Sequence, residues 1–310
     1  MNIYSGVDDF PDLKYPVVTS GTFDGVHIGH QKILSRIKEI AGNANGETVL
    51  ITFWPHPRIV LSSGKNHQIK LLSSFDEKAA LLERFGIDHL VKIPFTPEFS
   101  ELSSAEFVEK YLVKRIKTKK LVIGYNHRFG KNREGSFDYL AKNAKFYGFE
   151  VEEISKQDLD HVAISSTTIR NALAQGDISH ANLYLGRPYD LTGQVIKGNQ
   201  LGREIGFPTA NLQIHDPLKL IPADGAYAVY VEHQGIKNQG MMNIGFRPTV
   251  DGKKRAIEVH IFNFDQEIYQ QTLKIQLIAQ LREEKKFNNM EELQIQLSKD
   301  KDKALQILST

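Results

Sequence analysis

The chain of 310 residues is long enough for about two ordinary domains, and its 41% hydrophobic and 25% charged residues are typical of a globular protein. A formal net charge of only +2 excludes an overall electrostatic attraction to nucleic acid. The lack of cysteine excludes disulfides, thiolate nucleophiles and cysteine-ligated metals. No apolar run approaches the roughly 20 residues of a membrane-spanning helix, so we expect a cytoplasmic protein that binds neither membrane nor nucleic acid and shows no obligate protein partner.

The first half of the chain alternates strand-like and helix-like stretches. Short runs rich in β-branched residues, such as ETVLITF at 47–53, are typical of buried parallel strands. Strands are predicted at 15–20, 47–53, 89–93 and 120–124, and helices at 27–40, 74–85, 101–116 and 137–147. This order predicts an α/β doubly wound parallel sheet.

The pattern changes near Gly186, where shorter apolar alternations separated by glycine, proline and asparagine begin. Strands are predicted at 191–196, 226–231, 241–244, 256–262 and 273–281, followed by an amphipathic helix at 290–308. Closely spaced strands with turn signals indicate an antiparallel barrel or sandwich. We therefore expect two domains, residues 1–185 and 186–310.

The stretch GTFDGVHIGH at 21–30 follows the first predicted strand and opens the first predicted helix. A helix N-terminus at the carboxyl end of a parallel strand is a favourable place for a phosphate. His27 and His30 are three residues apart and share a helix face, while Gly29 lets a phosphate approach the backbone. Two other interpretations remain open: ordinary helix histidines, or a metal pair, for which zinc would require a third protein ligand.

A second polar stretch, ISSTTIR at 164–170, combines helix-capping hydroxyls with an arginine one turn later. Arg170 could grip a triphosphate with its planar, bidentate guanidinium. An ordinary helix N-cap is the alternative. The two stretches lie about 140 residues apart within one α/β pattern, which favours a shared nucleotide site.

Together these motifs resemble the nucleotidyltransferase superfamily, with its His-x-Gly-His and Ile-Ser-Ser-Thr-x-x-Arg sequences. GTFDGVHIGH, with FWPHP at 53–57, more narrowly resembles the FMN adenylyltransferase domain of bacterial FAD synthetases. The resemblance implies that His27, His30 and Arg170 are catalytic. It further implies that ATP contacts Gly21, Phe23, Asp24, Gly29, Ser165, Ser166 and Thr167.

The stretch GYNHRFG at 124–130 is similar to the flavin-side loop of the same family, usually Gly-x-Asp-Phe-Arg-Phe-Gly. It implies flavin contacts by Asn126, Arg128 and Phe129. Asn126 brings no charge where aspartate is usual, and His127 replaces phenylalanine. Asn126 could equally be a turn residue after a strand.

A glycine-rich segment in the second half joins GQVIKG at 193–198 to GREIGFPTAN at 202–211. Thr209 and Asn211 are two residues apart and face one side of an extended segment, where both could meet Mg²⁺. The spacing does not match a P-loop, and a glycine-rich turn between strands is the alternative. Glu258 lies on an alternating strand, either as a general base or on a solvated face.

Residues 186 to about 290 resemble the riboflavin kinase family, whose fold is a small closed β-barrel. The resemblance is carried by GRPY at 186–189, GFPTAN at 206–211, PADGAY at 222–227, NIGFRPT at 243–249, EVH at 258–260 and LREEKKF at 281–287. It implies that Thr209 and Asn211 bind Mg²⁺ and that Glu258 is the catalytic base. ATP contacts are implied for Gly198, Arg203, Gly206, Phe207 and Pro208, and flavin contacts for Arg282 and Phe287. Lys197 stands where many relatives carry histidine.

The two resemblances follow the order of the bifunctional bacterial enzymes. They imply phosphorylation of riboflavin to FMN and adenylylation of FMN to FAD, with Mg²⁺ as cofactor and ATP as co-substrate at both sites. One rival is an enzyme with a single remaining activity. Another is a nucleic-acid-binding barrel protein, which the basic run at 114–120 would suit. A salt-sensitive interaction with oligonucleotides would support that alternative.

Overall fold

The computed structural model describes residues 1–62, 69–155, 164–198, 201–249 and 252–309, leaving out the side chains of residues 201, 247–249 and 252–254. The described chain forms two compact units, Met1–Ser165 and Ser166–Thr310. This division lies earlier in the chain than the functional boundary between 185 and 186 predicted from the sequence, and that functional boundary remains a prediction.

The first unit is built on a six-stranded parallel sheet, which confirms the predicted α/β class. Its strands in chain order are β1 (Asn2–Ser5), β2 (Pro16–Ser20), β3 (Glu47–Trp54), β4 (His89–Pro94), β5 (Lys120–Gly124) and β6 (Glu150–Ile154). They are arranged in the order β1-β4-β3-β2-β5-β6. The edge strands β1 and β6 were not predicted, because an edge strand is less buried and carries a weaker apolar pattern.

Helices connect the strands of this sheet. They are α1 (Ile28–Asn43), α2 (Pro57–Leu61), α3 (Phe75–Arg84), α4 (Pro97–Ser100), α5 (Ser104–Phe107) and α6 (Phe137–Tyr147). The helix predicted at 101–116 is confirmed over residues 104–115 and begins three residues later than predicted. A capping box between Ser103 and Glu106 starts α5 afresh, and α5 continues as a π-helix over Val108–Arg115.

Alternating residues of the central strands bury the two faces of the sheet. Val17, Leu50 and Val122 pack on one face, against a helical layer that includes Leu34 of α1 and Leu82 of α3. A separate cluster covers the other face and contains Val18, Val49, Ile51, Leu121, Ile123, Phe107 and Leu112. Burial on both sides explains why these strands read as continuous apolar runs.

The second unit is a closed antiparallel barrel with helices on its surface, which confirms the barrel and its C-terminal helix. Its elements are α7 (Ser166–Ala174), α8 (Ile178–Leu185), β7 (Tyr189–Ile196), α9 (Leu201–Glu204), β8 (Ala210–Gln213), β9 (Gly225–His233), β10 (Ile236–Thr249), β11 (Gly252–Ile261), β12 (Thr272–Glu283) and α10 (Met290–Leu308). The strands close in the order β10-β11-β8-β7-β12-β9.

Helices α7 and α8 are bonded to the barrel wall. The Leu173 carbonyl at the end of α7 accepts a 2.9 Å hydrogen bond from the Ala223 N–H. On α8 the Asn182 amide donates to the Leu277 carbonyl at 2.9 Å and accepts from the Tyr189 N–H at 2.7 Å. These bonds make the two helices part of the barrel unit.

The C-terminal helix α10 covers another side of the barrel. Ala304 and Leu308 are buried in a cluster with Phe207, Met241 and Leu281. The Tyr230 hydroxyl donates to the Leu308 carbonyl at 2.9 Å, and the Gln239 amide donates to the same oxygen at 3.0 Å. These contacts anchor the C-terminal end of α10 to the barrel.

Candidate active sites

The turn between β2 and α1 lies where the strand order of the sheet reverses. Strand β2 pairs with β3 on one side and with β5 on the other, so the connections after β2 and β5 leave towards opposite faces. Ligands of doubly wound proteins bind in the crevice at such a switch point, beyond the carboxyl ends of the strands. The GTFDGVHIGH and GYNHRFG motifs both lie at this edge of the sheet.

The backbone of the β2–α1 turn is held in an unusual conformation. Phe23 and Val26 have φ angles of 47° and 42°, a region that a β-branched residue such as valine rarely adopts. The buried Asp24 carboxylate accepts hydrogen bonds from the N–H groups of Leu72 and Ser73, and the Gly25 N–H donates to the Ser73 hydroxyl at 3.1 Å. These bonds fix the turn from outside its own sequence.

His27 and His30 lie together at the start of α1. The His30 N–H donates to Nδ1 of His27, which caps the helix, and the two rings stack with centroids 3.6 Å apart. Burial, together with His27 and Lys78, holds the pKa of His30 well below its usual range, so its imidazole is neutral at pH 7. Its Nδ1 is buried without a hydrogen-bond partner in the described structure.

The other residues of this turn that were predicted to contact ATP are Gly21, Phe23, Asp24 and Gly29, and most of them are buried. Phe23 is only 2% exposed and packs its ring 4.7 Å from that of His30, in the core. Asp24 is 4% exposed, with its carboxylate on the 72–73 backbone. Gly29 is buried in the first turn of α1, and Gly21 donates its N–H to the Ile51 carbonyl. Phe23 and Asp24 therefore build the turn.

The loop after β5 contacts the end of β2 through His127. Nε2 of His127 is 3.1 Å from the Ser20 hydroxyl, directly before Gly21, and burial lowers the pKa of His127 to about 4. Asn126 and Arg128 are exposed, whereas Phe129 is buried in the core beside Phe107. Of the three residues predicted to contact flavin, two therefore have accessible side chains.

The ISSTTIR motif spans the division between the units. Ser165 is the last residue of the first unit, and Ser166 begins α7 in the second. Thr167 is exposed, while Ser166 and Arg170 are partly buried. The predicted capping position before the helix is thus occupied by Ser165, and Arg170 lies one turn into α7.

In the barrel unit, Glu258 lies beside the predicted metal-binding residues. Glu258 of β11 is the direct cross-strand partner of Asn211 in β8, and the Thr209 hydroxyl donates to its Oε2 at 3.4 Å. On its other side, Glu258 pairs with Asn243 of β10. Oxygen-bearing side chains of β8, β10 and β11, together with Thr209 just before β8, are thus brought together on one wall of the barrel.

The glycine-rich segment approaches these residues closely. A Cβ atom at Gly198 would overlap the Asn211 side chain, so a larger residue there would displace Asn211 from its present position. The Phe207 N–H donates to the Gly202 carbonyl at 2.7 Å and closes the turn in which Gly206 has a φ angle of 82°. Because Phe207 is buried, it supports the segment and the turn shape.

A cleft next to this segment contains several residues predicted to contact ATP. Arg203, Pro208 and Thr209 line one part of it, and Phe264 and Tyr269 line another. The Pro208 carbonyl is 2.7 Å from Nδ1 of His260 on β11, which fixes the segment against the strand. Sequence reasoning missed Phe264 and Tyr269, which lie in a connection without a recognisable motif.

Arg282 and Phe287 lie together near the end of β12, with the guanidinium carbon 5.6 Å from the ring centroid. Nε of Arg282 donates to the Asp300 carboxylate of α10 at 2.9 Å, and Asp300 is only 4% exposed. Partial burial raises the pKa of the neighbouring Glu284, with Asp224 and Glu258 adding repulsion. Asp300 and Glu284 escaped sequence reasoning, because a carboxylate in a polar helix or charged run carries no distinctive signal.

The available donors fit a hard cation in the barrel better than a transition metal at the histidines. Among the described residues, no third histidine, aspartate, glutamate or cysteine joins His27 and His30 in a metal-binding group. The hydroxyl, amide and carboxylate oxygens of Thr209, Asn211 and Glu258 are the donor types that Mg²⁺ prefers. The barrel site therefore has the appropriate chemistry for magnesium.

Comparison with known proteins gives matches over nearly the whole chain. Residues 10–168 match the family described as FAD synthetase, and residues 185–308 match the family described as riboflavin kinase. A bifunctional riboflavin kinase/FMN adenylyltransferase of Listeria monocytogenes is 41% identical over 94% of this chain and 92% of its own length. One from Haemophilus influenzae is 39% identical over 94% of both chains.

A solved structure is also similar to this chain over its length. A Streptococcus pneumoniae protein described as a macrolide-efflux protein is 32% identical, with a TM-score of 0.88 over 97% of both chains. In the part of the chain that the structure describes, no helix is long and apolar enough to cross a membrane. The fold is therefore shared with a protein whose description differs from that of the curated relatives.

Proposed function

The chain belongs to the family of bifunctional riboflavin kinases/FMN adenylyltransferases, and on that premise we propose how its two ATP-dependent reactions of FAD biosynthesis are divided between its residues. Adenylylation is assigned to the switch-point crevice with the ISSTTIR motif, within residues 1–185. Riboflavin phosphorylation is assigned to the barrel wall around Glu258, within residues 186–310. The observation that carries this division is that His27 and His30 follow a strand of the parallel sheet, whereas Glu258 lies on the barrel, each with its own supporting hydrogen bonds.

At the crevice, the FMN phosphate attacks the α-phosphorus of ATP and pyrophosphate leaves. The nucleophile is already anionic, so positioning and charge stabilisation contribute more than a strong base. The stacked His27 and His30 are placed at the N-terminus of α1, which also offers free N–H groups to a phosphate. Because His30 is neutral, it acts as a hydrogen-bond donor rather than as a cation.

Other contacts in this site are assigned to accessible polar groups. Ser165, Thr167 and Arg170 bind the triphosphate, with Arg170 making charge-assisted hydrogen bonds. Asn126 and Arg128 contact the flavin side, and their exposure in the loop after β5 supports this assignment. His127 holds that loop to Ser20, so it positions the flavin side relative to the turn.

At the barrel wall, Glu258 removes the proton of the riboflavin 5′-hydroxyl as that oxygen attacks the γ-phosphorus of ATP, and ADP leaves. Thr209 and Asn211, with the Glu258 carboxylate nearby, would hold Mg²⁺, which when bound offsets negative charge on the phosphates. Gly198, Arg203, Gly206 and Pro208 surround the ATP with backbone and guanidinium groups. Arg282 and Phe287 border the flavin, where Asp300 holds Arg282 in place.

We assign both reactions to the cytoplasm, because both consume ATP and the cytoplasm contains ATP. The test is to incubate the full chain with riboflavin, ATP and Mg²⁺ and to separate the flavins over time. FMN is expected first and FAD afterwards. Accumulation of FMN without FAD at ample ATP would contradict the adenylylation assignment. If Mg²⁺ is required, EDTA should stop product formation and added Mg²⁺ should restore it.

A further inference from the structure

Lys78 of α3 is a buried cation behind the β2–α1 turn. It is only 3% exposed, and its Nζ donates hydrogen bonds to the Thr22 carbonyl at 3.2 Å and to the Thr52 hydroxyl at 2.9 Å. The ammonium also lies 5.1 Å from the centroid of the Trp54 ring. Thr22 belongs to the turn, whereas Thr52 lies on β3, so Lys78 connects the turn to the sheet from the side of α3.

A buried ammonium is costly unless neighbouring groups compensate for its lost hydration. Burial lowers the pKa of Lys78 to about 8, and the Asp24 carboxylate opposes that shift. The titratable groups that face it are Asp24 from the turn and His30 from α1. From β4, Lys92 packs its ammonium against Phe75, whose ring Lys78 also approaches. Lysine at such a position indicates a role that an apolar residue could not fill.

The turn requires support from outside because it contains two non-glycine residues with positive φ angles, Phe23 and Val26. Such backbone persists only when the surrounding structure determines it strongly. Asp24 holds one side of the turn through the 72–73 backbone, and Lys78 holds the Thr22 carbonyl. Burial is the main cause of the low pKa of His30, and the charges of His27 and then Lys78 lower it further. Lys78 therefore acts on both the shape of the turn and the state of its histidine.

We propose that Lys78 is a positioning residue for adenylyl transfer: its buried ammonium fixes the Thr22 carbonyl and thereby holds the turn that presents the neighbouring His30 ring to ATP. This inference rests on the proposed assignment of adenylylation to the turn. Lys78 acts through Thr22 and His30, without itself touching the reacting phosphate.

The activity test compares Lys78→Met, which keeps an unbranched chain without charge or donors, with Lys38→Met, which removes an exposed lysine of α1 in the same unit. Adenylylation of supplied FMN is expected to fall about 10- to 100-fold in kcat for Lys78→Met, because small misplacements cost that much. KM for ATP should change less than about threefold, since ground-state binding is largely kept. Riboflavin phosphorylation by the same protein should be unchanged, and circular dichroism of the whole chain verifies that the unit containing Lys78 is folded.

A second readout follows the His30 ring directly, by NMR of protein labelled with ¹⁵N-histidine, the signal being identified by its absence in His30→Gln. In the unmodified chain the signal should show an inflection near pH 8, where Lys78 loses its proton. In Lys78→Met that inflection should vanish and the pKa of His30 should rise, because one cation has gone. Lys38→Met should leave both features as they are.

The outcomes separate this inference from the function on which it rests. Full adenylylation by Lys78→Met, or a His30 titration without the inflection near pH 8, would overturn the positioning role. If Lys78→Met does not fold, the titration of the unmodified chain decides. If His30→Gln keeps full adenylylation while the inflection is present, the coupling of Lys78 to His30 stands and the assignment of adenylylation to this turn is wrong.

Discussion

Glu258 is the residue on which the proposed kinase site depends most directly. Glu258→Gln keeps the shape of the side chain next to Thr209 but removes its basicity. Initial rates of riboflavin phosphorylation should therefore fall roughly 10²-fold or more, as expected for loss of a general base. Adenylylation of supplied FMN should be unchanged. The control is Glu232→Gln, which alters an exposed glutamate of β9 and should keep both rates. Equal loss of both activities by folded Glu258→Gln would contradict the assignment of the two reactions to separate sites.

His30 provides the complementary prediction in the first unit. His30→Ala removes a neutral donor beside the N-terminus of α1. Because donors aimed at developing charge contribute strongly to transfer reactions, adenylylation should fall by about 10²-fold. Riboflavin phosphorylation, measured on the same sample, should be retained. As a control, His180→Ala alters an exposed histidine and should match the unmodified chain in both assays. If His30→Ala retains full adenylylation, His30 does not belong to the adenylylation site.

At the scale of single residues, motif spacing predicts the positions that sit close together in sequence. His27 and His30 are three residues apart, and their rings do meet. Lys78 and Asp300 reach their partners only through the fold, from 56 and 18 residues away. Phe23 and Asp24 lie within a motif but are buried. A motif residue can support the shape of a turn or contact the ligand there, and the sequence alone does not distinguish these roles.

Strand β7 carries a buried ionic contact that sets a pH dependence of stability. Burial alone would raise the pKa of Asp190, but Arg187, Lys219 and Lys274 outweigh it and hold the pKa below its usual value. Such a carboxylate stabilises the fold above its unfolded pKa of about 3.9, and the contribution is lost as the pH falls through the lower folded pKa. The contact of Asp190 with Lys274 at 3.1 Å joins β7 to β12.

Asp190→Asn should therefore lower the free energy of unfolding of the barrel unit at pH 7 by about 1–3 kcal/mol, the cost of leaving the buried Lys219 and the partly buried Arg187 and Lys274 without their partner. Urea unfolding followed at several pH values should show that the difference from the unmodified chain narrows below about pH 4. Asp302→Asn on the exposed side of α10 should show no such difference. A gap that stays constant down to acidic pH would contradict the ionic explanation.

At the scale of elements, prediction succeeds where a strand has a clear apolar run or alternation and fails where the strand is mostly polar or very short. The central strands β2 to β5 have buried apolar runs and were predicted. Strand β6, with sequence EVEEI, pairs with β5 alone and resembles a polar loop. Strand β8 is four residues long and lies inside the glycine-rich segment, so its backbone pairing with β7 and β11 leaves little trace in the sequence.

The two-unit division predicts how the barrel behaves as a fragment. Residues 166–310 include α7 and α8, whose buried Leu173, Ala181 and Leu185 pack within this unit. A fragment of residues 186–310 lacks them and exposes the barrel surface that they cover. Since each fully buried large aliphatic side chain contributes about 1.5–3 kcal/mol, the shorter fragment should melt at a clearly lower temperature.

Thermal unfolding and riboflavin kinase assays on both fragments check this expectation. Fragment 166–310 should be folded and active, and fragment 186–310 should be less stable, with activity only where it is folded. Equal melting temperatures would show that the two helices do not support the barrel. From strand spacing, the sequence predicted that a barrel of closely spaced strands follows the parallel sheet. It could not show that two helices before residue 186 pack on the barrel.

The strand order of the barrel also determines when it can be completed during translation. Strand β7 pairs with β12, and about 75 residues must be synthesised between them, which takes on the order of 4 to 15 seconds on a ribosome. Throughout that interval the nascent chain carries β7 with one edge open. The parallel sheet, in contrast, has its last strand once Ile154 has emerged. The newborn protein thus passes through a stage in which its sheet is complete while its barrel still lacks a wall.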